Sequence, residues 1–298
     1  MNLRKGVFLL FMAGLLWPAI STAAAQEEVT IKTIPVQNGV YMLVGQGGNI
    51  GLFIGEDGTF LIDDQFAPLT PKHLEAIRAA GGEVPKFLIN THYHADHTGG
   101  NENLGKAGAV IFSHDQVRKR MTMETVIEAF NMTTPPQPKD ALPVVTFSTD
   151  ITFHLNGDTL YAFHVPRAHT DGDSVIHFNN ANVIHSGDVF FNGFYPFIDV
   201  AHGGTLFGMI RAADAILALA DGETKIIPGH GPLGDRAQLQ AYRDMLRTAY
   251  ERLGRLKAKG MSVDEAVGEK PLADLEERWG KGMFSGDKWI SLIYDGLG

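Results

Sequence analysis

The stretch Thr91-His92-Tyr93-His94-Ala95-Asp96-His97-Thr98-Gly99-Gly100 constrains this chain more than any other. Four potential metal ligands fall within six residues, directly after the apolar run Phe87-Leu88-Ile89-Asn90, which reads as a short buried strand. Side chains alternate with a period of two along a strand, so His92 and His94 are expected on one side, where both imidazoles reach one ion. Asp96 and His97 fall past the strand end, where a turn aims them at a second ion close by. Imidazoles with a carboxylate suit zinc or a similar borderline ion, whereas calcium and magnesium take all-oxygen shells. Ligand spacing and strand context together set this stretch apart from a histidine-rich surface loop.

Three later segments repeat the context of a ligand-type residue just past a short apolar strand. They place His169 in Arg167-Ala168-His169-Thr170-Asp171-Gly172-Asp173, Asp188 in Ile184-His185-Ser186-Gly187-Asp188, and His230 in Ile226-Ile227-Pro228-Gly229-His230-Gly231. Their glycines allow the sharp bends that bring a ligand over the strand ends. The chain has no cysteine, so a metal site must be built from nitrogen and oxygen.

The first residues stand apart from this core. Arg4 and Lys5 precede the apolar run Val7 to Ile20, and Ser21-Thr22-Ala23-Ala24-Ala25 ends in small residues. Residues 1–25 therefore read as a secretory signal peptide cut after Ala25, with 26–298 as a single domain exported to the periplasm. A stable membrane anchor is not expected, because the run is shorter than the roughly 20 residues that span a bilayer and Pro18 interrupts its end. Removing the leader takes two positive charges away and moves the formal charge from -9 to -11. An acidic chain without Lys/Arg clusters is poorly suited to nucleic acid or anionic lipid, which leaves a small-molecule substrate as the expected partner.

Along the chain, strands are expected at Val29–Val36, Val40–Val44, Ile50–Ile54 and Thr59–Asp63, paired as antiparallel hairpins. Gly45-Gln46-Gly47-Gly48-Asn49 leads into a strand and not a helix, which excludes a nucleotide-binding loop and predicts a flexible hairpin tip. A helix over Pro68–Ala80 is expected with Thr70 as its cap and Pro71 at its first position. After the strand Ala109–Phe112, a helix is predicted from His114 to about Asn131, then the break Thr133-Thr134-Pro135-Pro136-Gln137-Pro138. Strands resume at Val144–Phe147, Ile151–Leu155, Thr159–Val165, Ser174–Phe178 and Val183–His185. Helices from Thr205 to Ala220 and from Asp235 onward flank a strand at Lys225–Ile227. Leu239, Tyr242, Leu246, Tyr250 and Leu253 recur at helical spacing as a core face. Strands followed by helices, twice over, suit two sheets packed face to face with helices outside.

With the HxHxDH string followed by histidine, aspartate and histidine in these contexts, the chain resembles the metallo-β-lactamase superfamily from about Val29 to Lys257. The resemblance implies an α/β fold, an αβ/βα four-layer sandwich of two mixed sheets flanked by helices. It implies two zinc ions (Zn2+) per chain, with His92, His94 and His169 as ligands of the first, Asp96, His97 and His230 as ligands of the second, and Asp188 between them. Two such cations sharing a water lower its pKa towards neutrality and supply a hydroxide. Asp96 is the expected catalytic residue, orienting the hydroxide and carrying its proton to the leaving atom. The expected activity is hydrolysis of a small cyclic amide or ester without a covalent intermediate, with β-lactams the favoured class. A lactonase or thioesterase, a mononuclear iron sulfur-oxidising enzyme, and a metal-binding accessory protein are the alternatives.

The chain departs from the commonest β-lactamase subclass, which has cysteine where Asp188 stands, a carboxylate-gripping lysine where Phe191 stands, and a longer flap in place of Gln46-Gly47-Gly48-Asn49. Arg167 is a candidate replacement for that grip, although a surface charge is the simpler reading. Asp63 and Asp64, closing an apolar strand, are candidates for fixing ligand histidines or for a plain turn role. His202, in the aromatic loop Tyr195 to Gly204, is a candidate substrate wall. His73, His114, His154, His164, His177 and His185 read as surface or hydrogen-bonded core histidines. The tail from Met261 to Gly298 reads as core, lid or interface.

Overall fold

Apolar residues that alternate between two faces of the same strands set the architecture. The computed structural model describes residues 28–297, so the expected signal peptide lies outside the described residues. Strands β1 (Lys32–Gln37), β2 (Val40–Val44), β3 (Ile50–Gly55) and β4 (Gly58–Ile62) pair antiparallel in chain order. Helix α1 (Thr70–Ala79) returns the chain so that β5 (Phe87–Asn90) lies parallel to β4, and the short helices α2 (Ala95–Thr98) and α3 (Asn101–Lys106) lead to the parallel strand β6 (Val110–His114). After α4 (Asp115–Met121), the strands β7 (Thr125–Ile127) and β8 (Met132–Thr134) form a separate ribbon, and β9 (Val145–Phe147) closes the seven-stranded sheet beside β6.

The second sheet has six strands: β10 (Asp150–Leu155), β11 (Asp158–His164), β12 (Ser174–Phe178), β13 (Val183–His185), β14 (Lys225–Ile227) and β15 (Gly234–Asp235). The first four pair antiparallel, and helix α5 (Leu206–Leu219) is the crossover that sets β14 parallel to β13. Helices α6 (Arg236–Ala258), α7 (Val263–Gly268), α8 (Glu276–Trp279) and α9 (Gly286–Ile293) complete the chain. None of the described helices is long and apolar enough to cross a membrane.

Both sheets are mixed, and the period of two builds four layers. Phe60, Ile62 and Ile89 face inward onto Ile176, Val183 and Ile227 of the other sheet. Their neighbours Leu61 and Leu88 face outward onto Ile77 of α1 and Leu104 of α3, while Val175, Ile184 and Ile226 face outward onto α5, α6 and α9. Strands β4, β5, β12, β13 and β14 are therefore apolar on both sides, as strands covered on both faces must be. Edge-on contact of Phe53 with Phe178, at 5.3 Å between ring centres, joins the two sheets.

Several local expectations are corrected. The helix after His114 ends at Met121 and not near Asn131, because Thr125-Val126-Ile127 is a β-branched run that favours a strand and Asn131 (φ 49°) takes the left-handed turn that folds β8 back on β7. Thr70 does not cap α1. Leu69 stands at the cap without a side-chain bond, because a 3-10 turn over Ala67–Leu69 leads directly into the helix. The first strand starts at Lys32, later than Val29. Gly45 to Asn49 is no free tip: Gly48 and Asn49 are buried, and Asn49 donates from Nδ2 to the carbonyls of Pro228 and Gly231, both at 2.9 Å, which ties the first sheet to the second. Asp235 begins the long helix as the cap of a reciprocal capping box with Gln238.

The tail is core. Trp289 of α9 is fully buried, stacks on Tyr195 at 4.6 Å and donates Nε1–H to the Pro196 carbonyl at 2.7 Å. Trp289→Ala is expected to cost about 3–5 kcal/mol, the range for truncating a fully buried aromatic side chain. Urea unfolding measures it, and a loss below about 1 kcal/mol would place the tail outside the cooperative core.

Candidate metal centre

The carboxyl ends of the parallel strands meet at one rim, the position where open α/β sheets collect ligand-binding groups. Asp63 follows β4, Thr91 to His97 follow β5, Asp188 follows β13 and His230 follows β14, while His169 lies between β11 and β12. All seven side chains expected as ligands come together there. His92, His94, His169 and Asp188 offer ligand atoms within 4.8 Å of one another, and Asp96, His97 and His230 form a second group of the same kind. The route differs from strand periodicity, because β5 stops at Asn90 and His94 is already the cap of α2, whose single turn carries Asp96 and His97 round to the second group.

The hydrogen bonds decide which ring nitrogens face the centre. His169 Nδ1 lies 2.8 Å from the Phe197 carbonyl, which only accepts, so Nδ1 carries the proton and Nε2 keeps a lone pair. His94 Nε2 lies 2.9 Å from Asp199 Oδ2, which leaves a lone pair on His94 Nδ1. Thr91 Oγ1 donates to Asp63 Oδ2 at 2.7 Å and so accepts from His92 Nδ1 at 3.0 Å, which leaves a lone pair on His92 Nε2. Those three lone pairs converge, with His94 Nδ1 3.1 Å from His92 Nε2 and 2.9 Å from His169 Nε2. Facing lone pairs repel, and a cation among them removes the conflict. Burial keeps both His92 and His169 neutral, holding the pKa of His169 down to about 4 and that of His92 well below the usual range.

Asp188 sits between the groups. Its Oδ2 is 3.4 Å from His169 Nε2 and 3.4 Å from His230 Nε2, and its Oδ1 is 3.1 Å from His97 Nε2. Asp188 Oδ1 and His97 Nε2 are buried without a hydrogen-bond partner, a cost that a shared cation relieves. The second group is rich in negative charge. Burial pulls His97 down, but Asp188, Asp96 and Asp63 outweigh it and raise its pKa well above the usual range; His230, also opposed by burial, is raised to about 9 by Asp188 and Asp96. Metal binding at such histidines displaces protons. Asp96 reaches the solvent side with 24% of its side chain exposed. Burial favours its neutral form, yet His97 and His230 hold its pKa at about 2.

Asp63, at the left-handed φ of 62°, accepts from Thr91 N–H, Thr91 Oγ1 and His97 Nδ1, the last at 2.8 Å, and so orients two ligand-type histidines. Asp64 does not touch a ring: it receives the Gly100 N–H at 2.8 Å. Asp199, in the same aromatic loop as His202, is a functional residue that no local sequence pattern marks. It accepts from His94, from Tyr93 Oη at 2.6 Å and from His202 Nδ1 at 2.8 Å. Burial opposes its charge, but the bonds from His94 and Tyr93 keep its pKa well below the usual carboxylate range. His202 is thus a partner of Asp199 and packs on Tyr93 at 5.6 Å. Gly48 was also missed: a Cβ there would overlap the His97 ring, so only glycine lets this backbone close over the centre. Arg167 is exposed and makes no ion pair among the described residues; its carbonyl receives the Thr205 hydroxyl at the start of α5. Phe191 is buried and stacks on His230 at 5.1 Å.

The family model described as the metallo-β-lactamase superfamily matches residues 43–232, and the chain belongs to that superfamily of hydrolases. A hydroxyacylglutathione hydrolase of Pelagibacter ubique (strain HTCC1062) is 29% identical over 147 residues, 49% of this chain and 51% of that protein. The match therefore spans about half the length of that relative. The crystal structure of DIM-1 metallo-β-lactamase is similar with a TM-score of 0.59 at 19% identity, covering 74% of this chain and 100% of that one. A metallo-β-lactamase from Pontibacter korlensis gives 0.58 at 19% identity over 73% and 99%. At these identities the likeness concerns the fold.

Asp199→Asn keeps the shape but weakens the acceptor that fixes His94. It is expected to lower metal affinity about 10- to 100-fold, the usual effect of losing a ligand's outer partner. Chelator competition reads the affinity, and circular dichroism checks that the fold persists.

Proposed function

We propose that this chain is a hydrolase that holds two zinc ions and cleaves a small cyclic amide or ester. His92, His94 and His169 would hold one ion, Asp96, His97 and His230 the other, with Asp188 shared. The observation that carries this reading is the convergence of three imidazole lone pairs beside a buried carboxylate whose oxygens face both groups. Zinc bound there supplies Lewis acidity, which makes water a competent nucleophile near neutral pH and polarises a carbonyl.

The protein's own groups do the rest. Asp96, ionised and on the solvent side, is placed to take a proton from the attacking water and pass it to the leaving atom. Asp63 and Asp199 fix the rings of His97 and His94, so no reorientation is needed as charge develops.

For the substrate, shared architecture with β-lactamases supports the cyclic amide, and the relative named hydroxyacylglutathione hydrolase supports an ester or thioester. Phe191 favours the ester, because its ring packs on His230 where a lysine would grip the carboxylate of a β-lactam. We also propose that residues 26–298 make one domain of a periplasmic enzyme. That rests on the leader pattern of residues 1–25 and on the packing of the tail into the core.

Purified protein is expected to carry about two zinc ions per chain by elemental analysis, in line with two ligand groups. Among a chromogenic cephalosporin, a lactone and a thioester, at least one is expected to be hydrolysed, with Asp96→Ala lowering kcat about 10²- to 10⁴-fold. Iron content with oxygen uptake and no hydrolysis would overturn the reading.

A further inference from the structure

We propose that Phe130, Phe197 and Phe284 form an aromatic subsite beside the metal centre, and that it takes the aryl or alkyl group of an uncharged ester or lactone. The inference rests on the hydrolase reading above and adds to it the side of the substrate that is not attacked.

Phe197 anchors the subsite to the centre. Its ring lies 5.9 Å from His94 and 5.8 Å from His169, and its own carbonyl is the acceptor that orients His169, so its place relative to the ligand groups is set by the backbone. Phe130, on the turn between β7 and β8, meets Phe197 edge-on at 4.9 Å. Phe284, from the segment before α9, lies 6.0 Å from Phe130 and 6.4 Å from Phe197. Three segments far apart in sequence thus bring rings together at one rim. Phe130 keeps 43% of its surface exposed there. Phe130 thus offers an open aromatic face next to Phe197, which itself lies beside His94 and His169, and ligand sites are lined mainly by apolar and aromatic side chains.

The C-terminal segment reaches the other side of the centre as well. Gly282 lies against Phe194, where a Cβ would overlap the ring, and Phe194 packs at 5.7 Å on Phe191, which stacks on His230. Residues 282–284 therefore join an aromatic wall beside His94 and His169 to one beside His230. They lie beyond residues 43–232, the part of the chain shared with the family model.

The aromatic wall selects against an anionic group on this side of the centre. Arg120, the cation on the Asp199 side, is already paired through two bonds with Asp171, at 2.6 Å and 3.3 Å. A neutral substrate with an apolar group meets complementary surface, whereas a carboxylate on this side meets aromatic rings and would lose its water without a partner.

The test compares 4-nitrophenyl acetate, hexanoate and hemisuccinate on the zinc-loaded enzyme, with binding of the neutral non-substrate N-benzylacetamide followed by ligand-observed NMR. The expected result is a kcat/KM for hexanoate about 10-fold or more above acetate, as extra methylenes in an apolar pocket provide, with the hemisuccinate slower than both. In Phe130→Ala, which alters a half-exposed side chain and is checked for retained metal content, the hexanoate-to-acetate ratio falls towards one and amide binding weakens. Phe130→Leu restores part of both. Ester hydrolysis with a flat chain-length profile, or a ratio that Phe130→Ala leaves in place, overturns the subsite and spares the hydrolase reading. Absence of ester hydrolysis with amide binding that depends on Phe130 keeps the subsite and removes the ester hydrolase. Absence of both overturns the subsite, while the hydrolase reading is decided by the cephalosporin, lactone and thioester assays.

Discussion

An imidazole that faces a cation with one ring nitrogen must place the proton of its other nitrogen somewhere, and that placement decides which lone pair is free. In this chain the acceptors are Asp63 for His97, Asp199 for His94, the Phe197 carbonyl for His169 and the Thr91 hydroxyl for His92. Thr91 can accept from His92 only because its own proton goes to Asp63, so one carboxylate orients two rings. The sheets exist, in this view, to hold acceptors at fixed distances from rings carried on other segments.

Two mixed sheets meet that demand because parallel strands end at the same rim. Parallel pairing of β4 with β5 sets Asp63 beside Thr91, and parallel pairing of β13 with β14 sets Asp188 beside the segment that carries His230. The sheets are then fastened to each other at that rim by Asn49, whose backbone N–H and side chain both bind carbonyls on either side of His230. Movement of either sheet along the other would separate the two halves of the centre.

Much of this was legible in the sequence because it is local. The HxHxDH string and the three later ligand-type residues each follow a short apolar strand, and the period of two in runs such as Phe60-Leu61-Ile62 foretells a sheet covered on both faces. What was not legible depends on contacts distant in sequence. Asp199 earns its role from His94, 105 positions away, and nothing near it in the chain announces that partner. Gly48 looked like a loose turn because the ring it must avoid, His97, comes from another segment. In the stretch after Met121 the apolar residues suit helix and strand alike, so their spacing alone points to a helix. Its β-branched residues and the left-handed Asn131 decide for a ribbon once Ile127 finds the core.

The bond from Trp289 to the Pro196 carbonyl gives the C-terminal helix a meaning beyond packing. Pro196 sits one residue before the carbonyl that orients His169 and three before the carboxylate that orients His94. The last helix is therefore a splint on the loop that tunes two rings. Damage to the tail would reach the His94 and His169 rings through this loop.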